Sequence, residues 1–217
     1  MSKVQLIKDV HYIALLLPFE CKVLSSSVLN GGLSCTRSFL NLKVDQHAPA
    51  PWPMPEETLS NKTKALALPQ PTTAMMTAAS MDSLGYCKES RAELVVECWV
   101  TAGLSNVRRV GDSSDEQPKA GTINISLYIN HHLSDTALVE ALMMVTESKV
   151  TAIRDAGIVS PISGSPASGT GTDSHAVFCT KQGEVVNYCG KHTLIGELIG
   201  KAVLSACSTS IEKCMTN

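Results

Sequence analysis

Between Ser168 and Gly200 the chain reads SGTGTDSHAVFCTKQGEVVNYCGKHTLIGELIG. Here an acid, Asp173, a lysine, Lys191, and an imidazole, His192, lie close in sequence to a glycine-rich run, Gly169-Thr170-Gly171-Thr172. Acid, imidazole and lysine are the residue types that move protons at neutral pH. Flexible backbone beside them can turn its amides toward a ligand. A second polar cluster runs from Thr101 to Asp112 (TAGLSNVRRVGD) and joins hydroxyl, amide, guanidinium and carboxylate groups. It follows an apolar run, Ala92 to Thr101, that reads as a buried strand, and strand ends are where α/β architectures place ligands. The plainer account of Arg108 and Arg109 is a solvated cluster paired with Asp112 and Asp115.

The elements that must position these groups follow from periodicity. Val10–Leu17 is continuously apolar and reads as a strand buried on both faces, with a second strand at Lys22–Ser27 and a turn at Asn30-Gly31-Gly32. Residues 47–71 carry most of the prolines, so they form a connection with one short helical turn near Glu56–Leu59. Thr72–Leu84, rich in alanine and methionine and closed by Gly85, reads as a short helix. Gly121–Asn130 alternates, with Ile123, Ile125, Leu127 and Ile129 on one face and Asn124, Ser126, Tyr128 and Asn130 on the other, which predicts a strand. Ser134 caps a helix running from Asp135 to Ala156 and ended by Gly157. A strand at His175–Thr180 is followed by a hairpin-like turn at Lys181–Glu184 and a last helix capped by Thr193. The expected fold is α+β: a single domain over residues 1–217, a mixed or antiparallel sheet with packed helices, and a split βαβ core.

Composition bounds the function classes. The 217 residues are 44% hydrophobic and 18% charged with a net charge of −2, which supports a sizeable core and gives no basic footprint for nucleic acid. Eight cysteines without CxxC spacing read as reduced thiols rather than a zinc ribbon or disulfide scaffold. No signal-peptide pattern or apolar run of spanning length stands near the start, so no membrane partner and a cytoplasmic location are expected. The six histidines are scattered, and adjacent His131 and His132 point in different directions, so no metal is expected.

Four motifs in order, TAGLSNVRRVGD (101–112), GTINI (121–125), GTGTD ending at Asp173 and GKHTLIGELIGKAV (190–203), resemble the adenosylcobinamide amidohydrolases of corrinoid salvage. VLSSSVLNGG (23–32) and Thr77-Ala78-Ala79 fit the same pattern, and the likeness covers most of the chain. Ser174 and His175 stand where the family more often has alanine after the acid, and the proline-rich stretch is long. The resemblance implies cleavage of one amide of adenosylcobinamide, giving adenosylcobyric acid and 1-aminopropan-2-ol, with the corrinoid as substrate and no cofactor. The alternatives are a non-catalytic corrinoid-binding protein and a related amidohydrolase acting on complete cobamides. Partners beyond the small-molecule corrinoid are not expected, apart from a homo-oligomer.

Amide hydrolysis needs a nucleophile, donors for the tetrahedral oxyanion and an acid for the departing amine. Asp173 and His192 are the expected acid/base pair, with the amides of 169–172 as oxyanion donors and Lys191 polarising the carbonyl. A covalent route through Thr170, Thr172 or Ser105 ranks second, because no GxSxG elbow marks a nucleophile. A corrin edge is ringed with carboxamides, so neutral hydrogen-bonding groups should recognise it: Asn30, Thr101, Ser105, Asn106, Asn124, Thr170, Gly171 and Thr172, with Arg109, Asp112 and Glu197 beside them.

Overall fold

The structure, a computed structural model, describes residues 3–45, 51–116 and 120–216. Its elements are β1 (Gln5–Lys8), β2 (Tyr12–Ser25), β3 (Gly32–Lys43), α1 (Pro55–Ala65), β4 (Thr72–Thr77), β5 (Gly85–Arg91), β6 (Leu94–Ala102), β7 (Val107–Arg108), β8 (Ile123–Leu133), α2 (Asp135–Asp155), β9 (Gly169–Thr170), β10 (Ser174–Thr180), β11 (Val185–Val186) and α3 (Leu194–Thr216). The main sheet runs β4-β3-β2-β10-β8-β6-β5, with β1 on β2 and β11 on β8. The β10–β8 and β3–β4 pairs are parallel and the other neighbours along that order antiparallel, so this is the mixed α+β sheet that the pattern predicts. The βαβ units are unsplit. Helix α2 joins β8 to β10 and α1 joins β3 to β4, and each parallel pair is hydrogen-bonded directly.

Several boundaries differ from the sequence reading, each for a physical reason. The two strands expected at 10–17 and 22–27 are one, β2. Its pairing with β3 shifts register between Leu16 and Cys21. Across this break, which contains Pro18, the other edge of β2 changes partner from β1 to β10. Proline has no amide to give a ladder, so the break falls where no ladder bond is needed. The segment 72–84 is not a helix: Thr72–Thr77 is strand β4, followed by a 3-10 turn at Met81–Ser83. Helix propensity, even that of alanine and methionine, yields to tertiary context, and Thr72, Thr73, Ala74 and Met75 are all buried on a strand that pairs with β3. Gly85 starts β5 instead of ending a helix, and a Cβ there would lie 2.0 Å from the Ala206 carbonyl oxygen of α3. The expected turn of helix in the proline-rich stretch is the longer α1, with Pro55 at its first turn and Leu59 buried. Residues 46–50 of that stretch lie outside the described residues. The turn at 181–184 leads to β11, which pairs with β8 rather than folding back on β10.

The sheet curls over itself. Asn41 on β3 donates to the Thr101 hydroxyl on β6 at 2.8 Å, although β2, β10 and β8 lie between those strands in the sheet. Two cores result. On the outer face Ile123, Ile125, Leu127 and Ile129 pack under α2 and α3. Inside the curl Phe39, Trp99, Tyr128 and Phe178 pack together, with Phe39 and Phe178 edge to face. Strand β8 therefore alternates as expected, but its polar face is not solvated: Asn124 and Ser126 point into the closed interior and are buried.

Ser134 accepts from the Ala137 amide and caps α2, and Gly157, at φ 68, ends it. The buried stripe of α2 is Ala137, Leu138, Ala141, Met144, Val145, Ser148, Lys149, Ala152 and Ile153, while Val139 and Met143 are exposed. Small residues win the inner face because α2 lies close against α3. Helix α3 is long and apolar enough to cross a membrane by length and composition. Its stripe, including Ile195, Ile199, Val203 and Ala206, packs in the core under β5 and β6, as in a central helix of a globular domain.

Candidate functional site

The site forms where β6 ends and β8 and β10 begin. Because β8 and β10 are parallel and in register from Ser174↔Asn124, the residues preceding both strands emerge side by side. Strands β7 and β9 then pair antiparallel as a short ribbon above the sheet. The ribbon is extended at both ends, by Ser168 N donating to Arg108 O at 2.9 Å and Gly171 N to Asn106 O at 3.0 Å. The two polar loops, 101–112 and 168–173, are thus tied together by backbone.

Asp173 is the hub. Its carboxylate accepts from Lys149 Nζ at 2.5 Å, from the Thr170 hydroxyl at 2.5 Å, from Thr170 N at 3.1 Å and from Ile123 N at 3.0 Å. Both members of the Lys149–Asp173 ion pair have side chains only 8% exposed. A carboxylate offers about four acceptor positions, and here all are filled. Such an acid fixes geometry; it has no lone pair left to activate water. The glycines beside it are needed for close approach. A Cβ on Gly169 would sit 2.1 Å from Asp173 Oδ2 and 2.9 Å from Lys149 Nζ, and one on Gly171 would sit 2.6 Å from Asn106 Nδ2. Neither has positive φ, so the flexibility expected of them is not used. The amides of Thr170 and Gly171 are spent on Asp173 and Asn106, which removes them as oxyanion donors.

His175 lies behind the hub, 9% exposed, on the face of β10 that packs against the helices. Its Nε2 has no hydrogen-bond partner among the described residues. Burial, aided by the neighbouring Lys149 ammonium and opposed by Asp173, pushes its pKa down to about 4. It is a neutral imidazole at physiological pH.

A chain of buried hydrogen bonds ties the hub to the interior of the curl. The Thr122 hydroxyl donates to Thr172 O at 2.7 Å and lies 3.3 Å from Asn124 Oδ1, and Asn124 Nδ2 donates to Asn41 Oδ1 and Met76 O, each at 2.8 Å. Asn41 in turn donates to Thr101. Asn124 and Thr101 are therefore supports beneath the site, 2% and 1% exposed.

Above the hub opens a cleft of about 820 Å³, at the upper end for small-molecule sites. Its lining includes the apolar Trp52, Pro53 and Pro55 and the polar or small Asn106, Arg109, Asp112, Gly171 and Thr172. Asp112 accepts from the Arg109 amide at 2.7 Å and the Ser160 hydroxyl at 2.5 Å. Those bonds, with Ser163, hold its carboxyl below the usual carboxylate range. Arg108 pairs with Asp115 at 2.9 Å, and Arg109 donates to Pro166 O at 3.3 Å. A second chamber of about 340 Å³ adjoins the first, and Val44, Met76, Ala120 and Thr172 line both. No group of three or more His, Cys, Asp or Glu side chains converges at metal-binding distance among the described residues.

The other expected site residues fall elsewhere. His192 and Lys191 are exposed at the start of α3, and Lys191 pairs with Glu147 on α2. Between Asp173 and that loop the chain runs the seven residues of β10 and then pairs β11 with the far end of β8. At about 3.3 Å per residue of strand, Asp173 and His192 are roughly 20 Å apart. The expected acid/base pair does not form. Glu197 pairs on the surface with Lys201 at 2.6 Å and Arg91 at 3.7 Å. Asn30, at φ 55 in the β2–β3 turn, spends its amide on Cys35 O and the Thr73 hydroxyl. Ser105 donates to Ala120 O and Thr170 to Asp173. Of the three hydroxyls considered as nucleophiles, Thr172 alone lines the cleft; it donates to Gly121 O at 3.0 Å. Lys149, Asn41 and Trp52 escaped the sequence reading. Only Lys149 left a signal, as a lysine four residues after Val145 and four before Ile153 on a core-facing stripe.

Residues 2–217 match the family described as adenosylcobinamide amidohydrolase. A Methanosarcina mazei protein of that name is 28% identical over 196 residues, 86% of this chain and 88% of its own length. An uncharacterized protein of Methanocaldococcus jannaschii is 34% identical over 149 residues; the match takes in 59% of this chain and spans only 58% of that relative. A crystal structure of a Pyrococcus horikoshii protein aligns with a TM-score of 0.46 at 11% identity, covering 94% of this chain and 77% of that one.

Proposed function

The chain belongs to the adenosylcobinamide amidohydrolase family, and from that premise we propose that it hydrolyses the amide joining 1-aminopropan-2-ol to the corrinoid, releasing adenosylcobyric acid. The observation that carries the reading is the cleft. It is large, and its lining combines the apolar Trp52, Pro53 and Pro55 with amide, hydroxyl and guanidinium groups at Asn106, Thr172 and Arg109. A broad macrocycle fringed with carboxamides calls for that combination, an apolar surface for its face and neutral donors and acceptors for its edge. Lys149 and Asp173 hold the turn that presents Gly171 and Thr172 to the ligand. Thr172 is the hydroxyl placed to meet the scissile amide. His192, Lys191 and Glu197 have no part in this assignment, because none of them lines the cleft.

The test is direct. Purified protein incubated with adenosylcobinamide should release aminopropanol, detected by amine derivatisation, with the corrinoid recovered as the acid. Tight corrinoid binding without release makes the protein a corrinoid binder. No binding of any corrinoid removes the reading altogether.

A further inference from the structure

We propose that the smaller chamber behind Thr172 is the subsite for the amino-alcohol arm of the substrate, so that the amide to be cut lies at the neck between the two chambers. This rests on the hydrolase reading above. The chambers adjoin, and Val44, Met76, Ala120 and Thr172 line both. At about 340 Å³ the smaller one is near the lower limit for a ligand site. It cannot take a corrin macrocycle, but it has ample room for a branched three-carbon arm.

The linings differ in the sense the arm requires. Val28 and Ala78 give small apolar contacts for a methyl group, and Ser26 and Ser174 give hydroxyls. Those two hydroxyls share one hydrogen bond at 3.1 Å, with the Ser26 oxygen also accepting from His175 N. Two hydroxyls hold two hydrogens, and their mutual bond uses one, so one O–H is left to meet the hydroxyl of the arm. Charge points the same way. The larger chamber is lined by three cations, Lys43, Arg108 and Arg109, and four acids, Asp45, Asp112, Asp115 and Glu116. The described lining of the smaller chamber has a single ionisable side chain, Asp173. In hydrolysis the water oxygen bonds to the acyl carbon, the C–N bond breaks with its electron pair going to nitrogen, and both water protons end on the amine. The acyl half becomes a carboxylate and the amine half an ammonium. With the arm inside, the ammonium forms in the chamber whose described lining holds no cation.

The experiment fills the smaller chamber from two sides, with Ala78→Phe and Val28→Phe made separately. KM for adenosylcobinamide is measured by aminopropanol release, and binding of adenosylcobyric acid, which lacks the arm, by equilibrium dialysis. Each variant should raise KM about tenfold or abolish turnover, the usual penalty for overpacking a filled site, while binding of the acid changes less than about twofold. Retained acid binding also shows that the variant is folded. Equal loss of both ligands, or an unchanged KM in both variants, overturns the subsite and leaves the hydrolase reading standing. Wild-type protein that releases no amino alcohol removes the hydrolase reading itself.

Discussion

The two ends of strand β8 hold similar parts and use them differently. At its start, the turn 169–173 pairs an acid with a lysine from α2, and both are buried. Near its end, past β11, the loop 189–192 pairs a lysine, Lys191, with an acid from the same helix, Glu147, and both are exposed, at 68% and 50%. The buried pair is surrounded by converging donors, by glycines that admit no side chain and by a cleft. The exposed pair is surrounded by solvent. Residue types do not distinguish the two ends; burial and the number of partners do.

The comparison can be broken most forcefully at Lys149. Lys149→Met leaves the Asp173 carboxylate buried without its counter-ion, and removing one partner of such a pair costs about 3–5 kcal/mol. The urea midpoint should fall accordingly and amide cleavage should vanish. A variant as stable as the wild type would place both ends on the same footing.

His175 gives the next largest effect. Its folded-state pKa is depressed, so the unfolded chain binds the proton more readily, and the neutral buried form contributes stability that is full above pH 6.5. That contribution is lost as pH falls from 6.5 toward the folded value of about 4. The difference, 6.5 minus about 4 at ~1.36 kcal/mol per unit, is about 3 kcal/mol. Denaturant unfolding from pH 7 to pH 4.5 should show a steeper loss in the wild type than in His175→Asn. Parallel pH profiles would show that the imidazole is not buried against the hub.

The smallest effects belong to the other end. Lys191→Met should change stability by about 1 kcal/mol or less, as exposed pairs do. His192→Ala should leave aminopropanol release within about twofold of wild type, whereas loss of a general acid or base costs about a hundredfold or more. A hundredfold loss in His192→Ala would reverse the contrast and bring the loop back to the chemistry.

Much of the frame was legible. The alternation of Ile123 to Asn130, the capped run from Asp135 and the apolar run ending at Thr101 each became the element they predict, because local periodicity and burial agree there. Strand β4 was not legible. Its alanines and methionines read as helix until β3 is known to lie alongside, and β3 itself carries no clear alternation. Within the site, the GTGTD turn and the 101–112 loop stood out by composition. Lys149 did not, since a lysine on a helix is ordinarily solvated and its partner is 24 residues away. Trp52 was hidden in a stretch that reads only as a connection.

By itself the sequence determined the family, the α+β class and the polar motifs that line the site, because these are carried by residue type and short-range spacing. Tertiary structure decided which charged groups meet. Parallel pairing of β8 with β10 sends the chain back across the length of the sheet before His192, while the crossover helix α2 delivers Lys149 to Asp173. Closeness in sequence set Asp173 and His192 in one stretch; the rise of the strand between them put them roughly 20 Å apart.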